Sequence, residues 1–164
     1  MTHDALKKLE QNFQAALNRT AELELTLIWI SIGSNLFFEF GPLQPKNITG
    51  KSGHPDRIAR RGLAALALHA YSWTINRNGE IIAESDNITS EYLPKLFDQL
   101  RGVRLQSINR AETGSIGIEF DRGVSVRIEF SLGEDSEDLV ALYMSEDAFE
   151  SIGLERIGER VALR

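Results

Sequence analysis

Cysteine is absent from this 164-residue chain, which excludes disulfides, thiolate metal sites and a cysteine nucleophile. A chain with no such staple is expected in a reducing interior, so the expected location is cytoplasmic. No run of about 18 apolar residues occurs, and Met1 to Lys8 lacks an apolar stretch followed by small residues. Neither a membrane span nor a secretion signal is therefore expected, and Asn18-Arg19-Thr20, Asn47-Ile48-Thr49 and Asn87-Ile88-Thr89 are chance glycosylation triplets. Histidine is scarce: His3, His54 and His69 stand far apart, without the spacing at which two or three imidazoles meet on a metal. No metal and no cofactor are expected. A Gly-x-Ser-x-Gly elbow is missing. Gly50-Lys51-Ser52-Gly53 resembles the end of a phosphate loop, but the first glycine of that motif would fall on Pro45. Basic residues are missing altogether from 128 to 155, where nine acids lie. With a net charge of -6 overall, the rest of the chain sums to +3.

What the chain does have is strict alternation. Ile116, Ile118 and Phe120 alternate with Gly117, Glu119 and Asp121, and after Gly123 the residues Val124, Val126, Ile128 and Phe130 alternate with Ser125, Arg127 and Glu129. Period two is the signature of a strand with one buried face. A loop over Asp121 to Gly123 pairs Ile118 with Val126 and Ile116 with Ile128, and places Gly123 where a left-handed residue is needed.

Elsewhere the signals differ in strength. Residues 4–20 form an amphipathic helix by spacing, with Leu6, Leu9, Phe13, Ala16, Leu17 and Thr20 on one side and Thr2 as its cap. Leu23 to Ser31 and Asn35 to Phe40 make a hairpin. Leu27 to Ile30 is apolar on both faces, so this strand should be central or covered by the N-terminal helix. Residues 41–62, with Pro42, Pro45, Gly50, Gly53 and Pro55, read as a long irregular loop in which Pro55 opens a short helix through Arg61. Leu63 to Ala70 has helical composition, but Tyr71 to Ile75 has strand composition and Asn78-Gly79 is a hairpin turn. Strands are expected over 66–76 and 80–84, with Ile75 opposite Ile82. Thr89 to Leu100 is a short helix with Pro94 in its first turns. Val103 to Asn109, Ser115 to Asp121, Val124 to Phe130 and Leu139 to Met144 then form a meander, and 145–164 is weakly patterned.

These elements predict one α+β domain over 1–164. Its architecture would be a twisted antiparallel sheet of about seven or eight strands in region 23–144, with the N-terminal helix and a second short helix packed on it. Such a chain buries about 70% of the surface its unfolded form exposes. The expected core includes Leu9, Phe13, Leu17, Leu27, Trp29, Phe38, Phe40, Leu68, Trp73, Ile75, Leu96, Leu105, Ile108, Ile116, Ile118, Phe120, Val126, Ile128, Phe130, Leu142 and Met144. Unpaired hairpin edges are the expected route to a homodimer.

No residue set reads as catalytic, and the expected function is non-enzymatic protein binding. The acidic third offers Glu119, Asp121, Glu134, Asp135, Glu137 and Asp138 as a partner-binding surface, because opposite charge speeds encounter and selects partners. A second reading places a polyanion or nucleic acid on Lys46, Lys51, Arg57, Arg60 and Arg61. Against nucleic acid stand the acidic isoelectric point of about 5.1 and the lack of aromatics between Phe40 and Tyr71 for base stacking. An enzyme using His69, oriented by a carboxylate such as Asp86, ranks last.

Phe38-Glu39-Phe40-Gly41, Ala67-Leu68-His69, Trp73-Thr74-Ile75, Ile81-Ile82, Asp86, Leu100-x-Gly102, Ile116-x-Ile118-x-Phe120 and Gly123 together resemble a set of small bacterial proteins of hairpin-rich build. Some of these are regarded as immunity proteins that neutralise toxins of neighbouring cells. The resemblance spans about Leu25 to Met144, with Thr74 where the pattern has a basic residue. It implies an immunity protein, for which the basic-free span 128–155 would supply an acidic face over a basic toxin active site, and it carries over no catalytic residue.

Overall fold

The Thr2 hydroxyl accepts from the Ala5 amide at 3.3 Å and starts helix α1 (His3–Ala21), as its position before the apolar stripe implies. The chain was described from a computed structural model covering residues 2–31, 35–50, 52–69, 72–111, 115–129, 140–145 and 160–163. After α1 come strands β1 (Leu25–Ile30), β2 (Leu36–Phe40), β3 (Gln44–Ile48), β4 (Arg57–Arg61), β5 (Ala64–Leu68), β6 (Trp73–Arg77) and β7 (Glu80–Glu84). Helix α2 (Leu93–Leu100) leads into β8 (Leu105–Arg110), β9 (Ile116–Phe120), β10 (Val124–Ile128), β11 (Val140–Met144) and β12 (Arg160–Leu163).

Among the described residues the class is α+β with antiparallel pairing throughout, but the single sheet of seven or eight strands is corrected to three. One five-stranded sheet has the order β1-β2-β5-β11-β12, a second the order β7-β6-β10-β9-β8, and β3 pairs β4 alone. The two large sheets face each other. Phe38 and Phe40 on β2 meet Phe120 on β9 with ring centroids 5.8 and 6.3 Å apart. Leu36, Leu66, Leu68, Leu142, Ile75, Ile116, Ile118 and Ile128 fill the space around them, all 2% exposed or less. Alternating positions then project from opposite faces of each strand. The second sheet turns Thr74, Glu119, Ser125 and Arg127 to its far side, as its alternation demands.

The β9–β10 hairpin has the predicted register, with Val126 opposite Ile118 and Ile128 opposite Ile116. Arg122 and Gly123 both take positive φ, 57° and 74°, and the Asp121 carbonyl accepts from Val124, which is a type I′ turn. The Asn78-Gly79 turn is built the same way, with φ of 50° and 83°, and the Asn78 amide donates to the Gly123 carbonyl at 2.8 Å. A Cβ on Gly123 would overlap the Asn78 side-chain oxygen. Gly123→Ala should therefore lower stability by about 1–2 kcal/mol from the left-handed backbone alone, read as a lower urea midpoint at unchanged slope.

Several expectations are corrected. Ile75 faces Ala83, not Ile82, because a bulge lies between Ile75 and Asn76 in the β6–β7 pairing; it seats Ala83 in the core and leaves Ile81 57% exposed. The strand expected over 66–76 is instead two strands in different sheets, β5 (Ala64–Leu68) and β6 (Trp73–Arg77). All five residues of β5 are buried, and a strand flanked on both edges and covered on both faces has no need of alternation. Strand β11 does not continue the meander. It lies between β5 and β12 in the other sheet, drawn there by an apolar sequence that fits a central position. The weakly patterned tail supplies β12. Strand β1 is an edge strand, not central, and α2 rather than α1 lies against it, while α1 packs on β8, β11 and β12. Leu27 and Trp29 sit on the far face of the first sheet, half-buried, instead of between the sheets. Phe13 and Ile108 pack at the margin of the core. Phe130 and the Leu9 side chain lie outside what is described.

Candidate functional site

Residues 41–62 are the largest departure from the sequence reading, and they carry the candidate site. They are not an irregular loop, and Pro55 opens no helix. Gln44 to Ile48 pair with Arg57 to Arg61 in a two-stranded arm. The arm extends the β2–β5 pair: Phe40 faces Ala64, the chain bends at Gly41 to Leu43 and at Gly62-Leu63, and pairing resumes at Gln44 and Arg61. Its tip is closed by Asp56, whose carboxylate accepts from the Gly50 amide at 2.7 Å. A shallow recess of about 310 Å³ lies there between Asn47, Thr49, Asp56 and Ile58.

Neither strand of the arm contains an acid. Lys46, Arg57 and Arg60 are exposed, and Ile58 is 71% exposed. Opposed residues of an antiparallel pair share a face, so Lys46 and Arg57 lie on one face with Arg61, whereas Arg60 and Ile58 lie on the other. The structure thus brings Lys46, Arg57, Arg60 and Arg61 onto one element; Lys51 lies outside the described residues.

The root of the arm is organised differently. Arg61 stacks its guanidinium 4.0 Å over the Trp29 ring, and the other face of Trp29 stacks on Phe37 at 4.1 Å with 8° between planes. Phe37 is bordered in turn by His69, edge-on, and by Tyr143. Glu39 is 1% exposed at the centre of this wall. Trp29 Nε1 donates to Glu39 Oε1 at 2.9 Å, the Gly62 amide donates to Oε2 at 3.0 Å, and Arg61 Nε lies 3.5 Å from Oε1. Burial pushes the Glu39 carboxyl up from its ordinary range, against the opposing pull of Trp29, Gly62, Arg61 and Lys46. Burial likewise lowers Arg61, against the attraction of Glu39. Both faces of Trp29 are occupied, so its ring is closed to a stacking base. It fastens the arm instead.

Sequence reasoning missed Glu39 and Trp29 as site residues. The only signal was an acid between two phenylalanines in a strand, which alternation assigns to solvent. No spacing announces that Arg61 would close over it.

The acidic residues fare less evenly. Glu119 is exposed on the far face of the second sheet. Asp121 is engaged within the fold: its carboxylate accepts from the Arg104 amide at 2.8 Å and its own amide donates to the Arg104 carbonyl at 2.9 Å. Glu134, Asp135, Glu137 and Asp138 lie outside the described residues. Arg127 and Glu129, 2.6 Å apart, form a surface ion pair of small energetic weight. His69 follows β5 in the first sheet and Asp86 follows β7 in the second. Among the described residues there is no group of three or more His, Asp or Glu that could hold a metal ion. No helix among them is long and apolar enough to cross a membrane. The chain matches no protein-family model, and comparison with curated proteins and with solved structures gave no match.

Proposed function

We propose that this protein is a non-enzymatic binding protein whose contact element is the β3–β4 arm and whose partner is a polyanion. What supports the reading is one observation: an acid-free two-stranded ribbon stands outside both large sheets with Lys46, Arg57 and Arg60 exposed along it. Cations grouped on a protruding ribbon attract anions at range and contact them with little desolvation. A ribbon of two strands also has the width that the major groove of a duplex admits.

A fluorescent DNA duplex is the direct probe. Anisotropy at low salt should show binding, and with three phosphate contacts log K should fall against log salt with a slope of about -2.7. Reversing Arg57 and Arg60 together to Glu should weaken binding by more than tenfold and flatten the slope. No binding by the wild type at low salt would remove the polyanion from the proposal.

A second reading keeps the acidic surface, with a basic toxin domain as partner. It is favoured by the exposure of Glu119 on a polar sheet face and by the basic-free span 128–155. The same charge-reversed variant separates the two, since a basic partner recovered from the native host would still be captured by it.

A further inference from the structure

We propose that Glu39 is a latch: held between Trp29 and Gly62, its carboxylate grips Arg61 and so fixes the angle at which the arm leaves the first sheet. The functional meaning of the latch rests on the arm being the contact element, but the latch itself can be read without any partner. Among the described residues strands β3 and β4 pair only with each other, and no ladder of those residues holds the arm against the body. Its two chain connections both pass through bends. Gly41 sits at φ 83°, where glycine alone is unstrained. Gly62 approaches Phe40 so closely that a Cβ would overlap the Phe40 carbonyl. Glu39 reaches across these bends, to the amide of the second bend and to the side chain of the arm's last residue.

The charged surroundings are few. Strand β4 presents Arg61, with Arg57 repelling it from the same face, and β3 presents Lys46. Strand β1 presents Trp29, and β5 presents the uncharged Ala65 opposite Glu39. Arg61 is further steadied by donating to the Arg60 carbonyl at 3.0 Å. Burial raises the Glu39 carboxyl, and the attraction of Arg61 opposes that rise.

The absence of cysteine makes the test direct. Spin labels on Ile58→Cys in the arm and Lys95→Cys on α2, both exposed positions, report the arm's distance from the body by pulsed electron resonance. One narrow distribution is expected in the latched background. Arg61→Ala and Glu39→Gln should each broaden and shift it, whereas Arg60→Ala, on the opposite face, should leave it unchanged. In Arg61→Ala the Gly62 amide should also exchange about tenfold faster, the loss expected when a charge-assisted contact supporting it is removed. If Glu39→Gln does not fold, Arg61→Ala decides alone, since its side chain is partly solvated. Distributions in Arg61→Ala that superimpose on the parent would overturn the latch. No polyanion enters the measurement, so failure of the binding proposal leaves this result standing.

Discussion

Phe38→Ala is expected to lower stability by about 3–5 kcal/mol, the range for truncating a fully buried phenylalanine. Phe38 is 0% exposed on the inner face of β2 and stands against Phe120 of the opposing sheet at 5.8 Å between centroids. Its ring is therefore part of the contact that joins the two sheets, and the space it leaves is walled by strands already fixed in their ladders. Neither sheet can move in without disturbing the register of five strands, so collapse into the cavity is incomplete and the upper part of the range applies. Phe37, one residue away, points to the far face and is half-buried, so Phe37→Ala provides the control. Urea unfolding should show a lower midpoint at unchanged slope for Phe38→Ala and a clearly smaller shift for Phe37→Ala. Equal shifts would mean that the sheets do not pack through this face.

The contrast between Phe37 and Phe38 also shows how far residue order carries. Strands with one dry face and one wet face were legible, β9 and β10 down to register: they, the Asn78-Gly79 turn and the left-handed Gly123 follow from period two and from glycine, whereas the bulge that shifts β6 against β7 does not. Strands covered on both faces were not. Ala64 to Leu68 lacks alternation because neither face is polar, so its strand was expected only from Leu66 and run on to Asn76, while Leu27 to Ile30 read as strand but not as an edge. The arm failed for the opposite reason. Gln44 to Ile48 and Arg57 to Arg61 are wet on both faces, so no apolar period marks them; Pro45 read as a loop residue although a two-stranded ribbon is all edge and tolerates proline, and Pro55 read as the start of a helix. The basic cluster was nevertheless legible as a cluster. What could not be read was its root, since pairing of Glu39 with Arg61 depends on two bends whose geometry is set by tertiary contacts.

That root gives the second large effect. Glu39→Ala removes the acceptor of two part-buried donors, Trp29 Nε1 and the Gly62 amide, and each stranded donor costs up to about 1–3 kcal/mol. The carboxylate's own desolvation is relieved by the same change, so a net loss of about 2–4 kcal/mol is expected. Glu39→Gln should cost less, because its amide oxygen still accepts from Trp29, although its NH2 then faces the Gly62 amide and Arg61 loses its counter-charge. The two variants should also differ from the parent in pH dependence. In the parent the folded-state carboxyl is raised above its ordinary 4.5, so the folded state holds the proton more tightly than the unfolded chain. The stability this adds is fully present below the unfolded value and is lost as pH rises through the folded value. Neither alanine nor glutamine titrates, so the margin of wild type over Glu39→Gln should shrink as pH rises from the ordinary carboxyl value through the raised folded one. Urea midpoints collected across that interval measure it directly. A margin that instead grows with pH would mean that Arg61, Trp29 and Gly62 outweigh burial at Glu39, and that the carboxyl is held below its ordinary range.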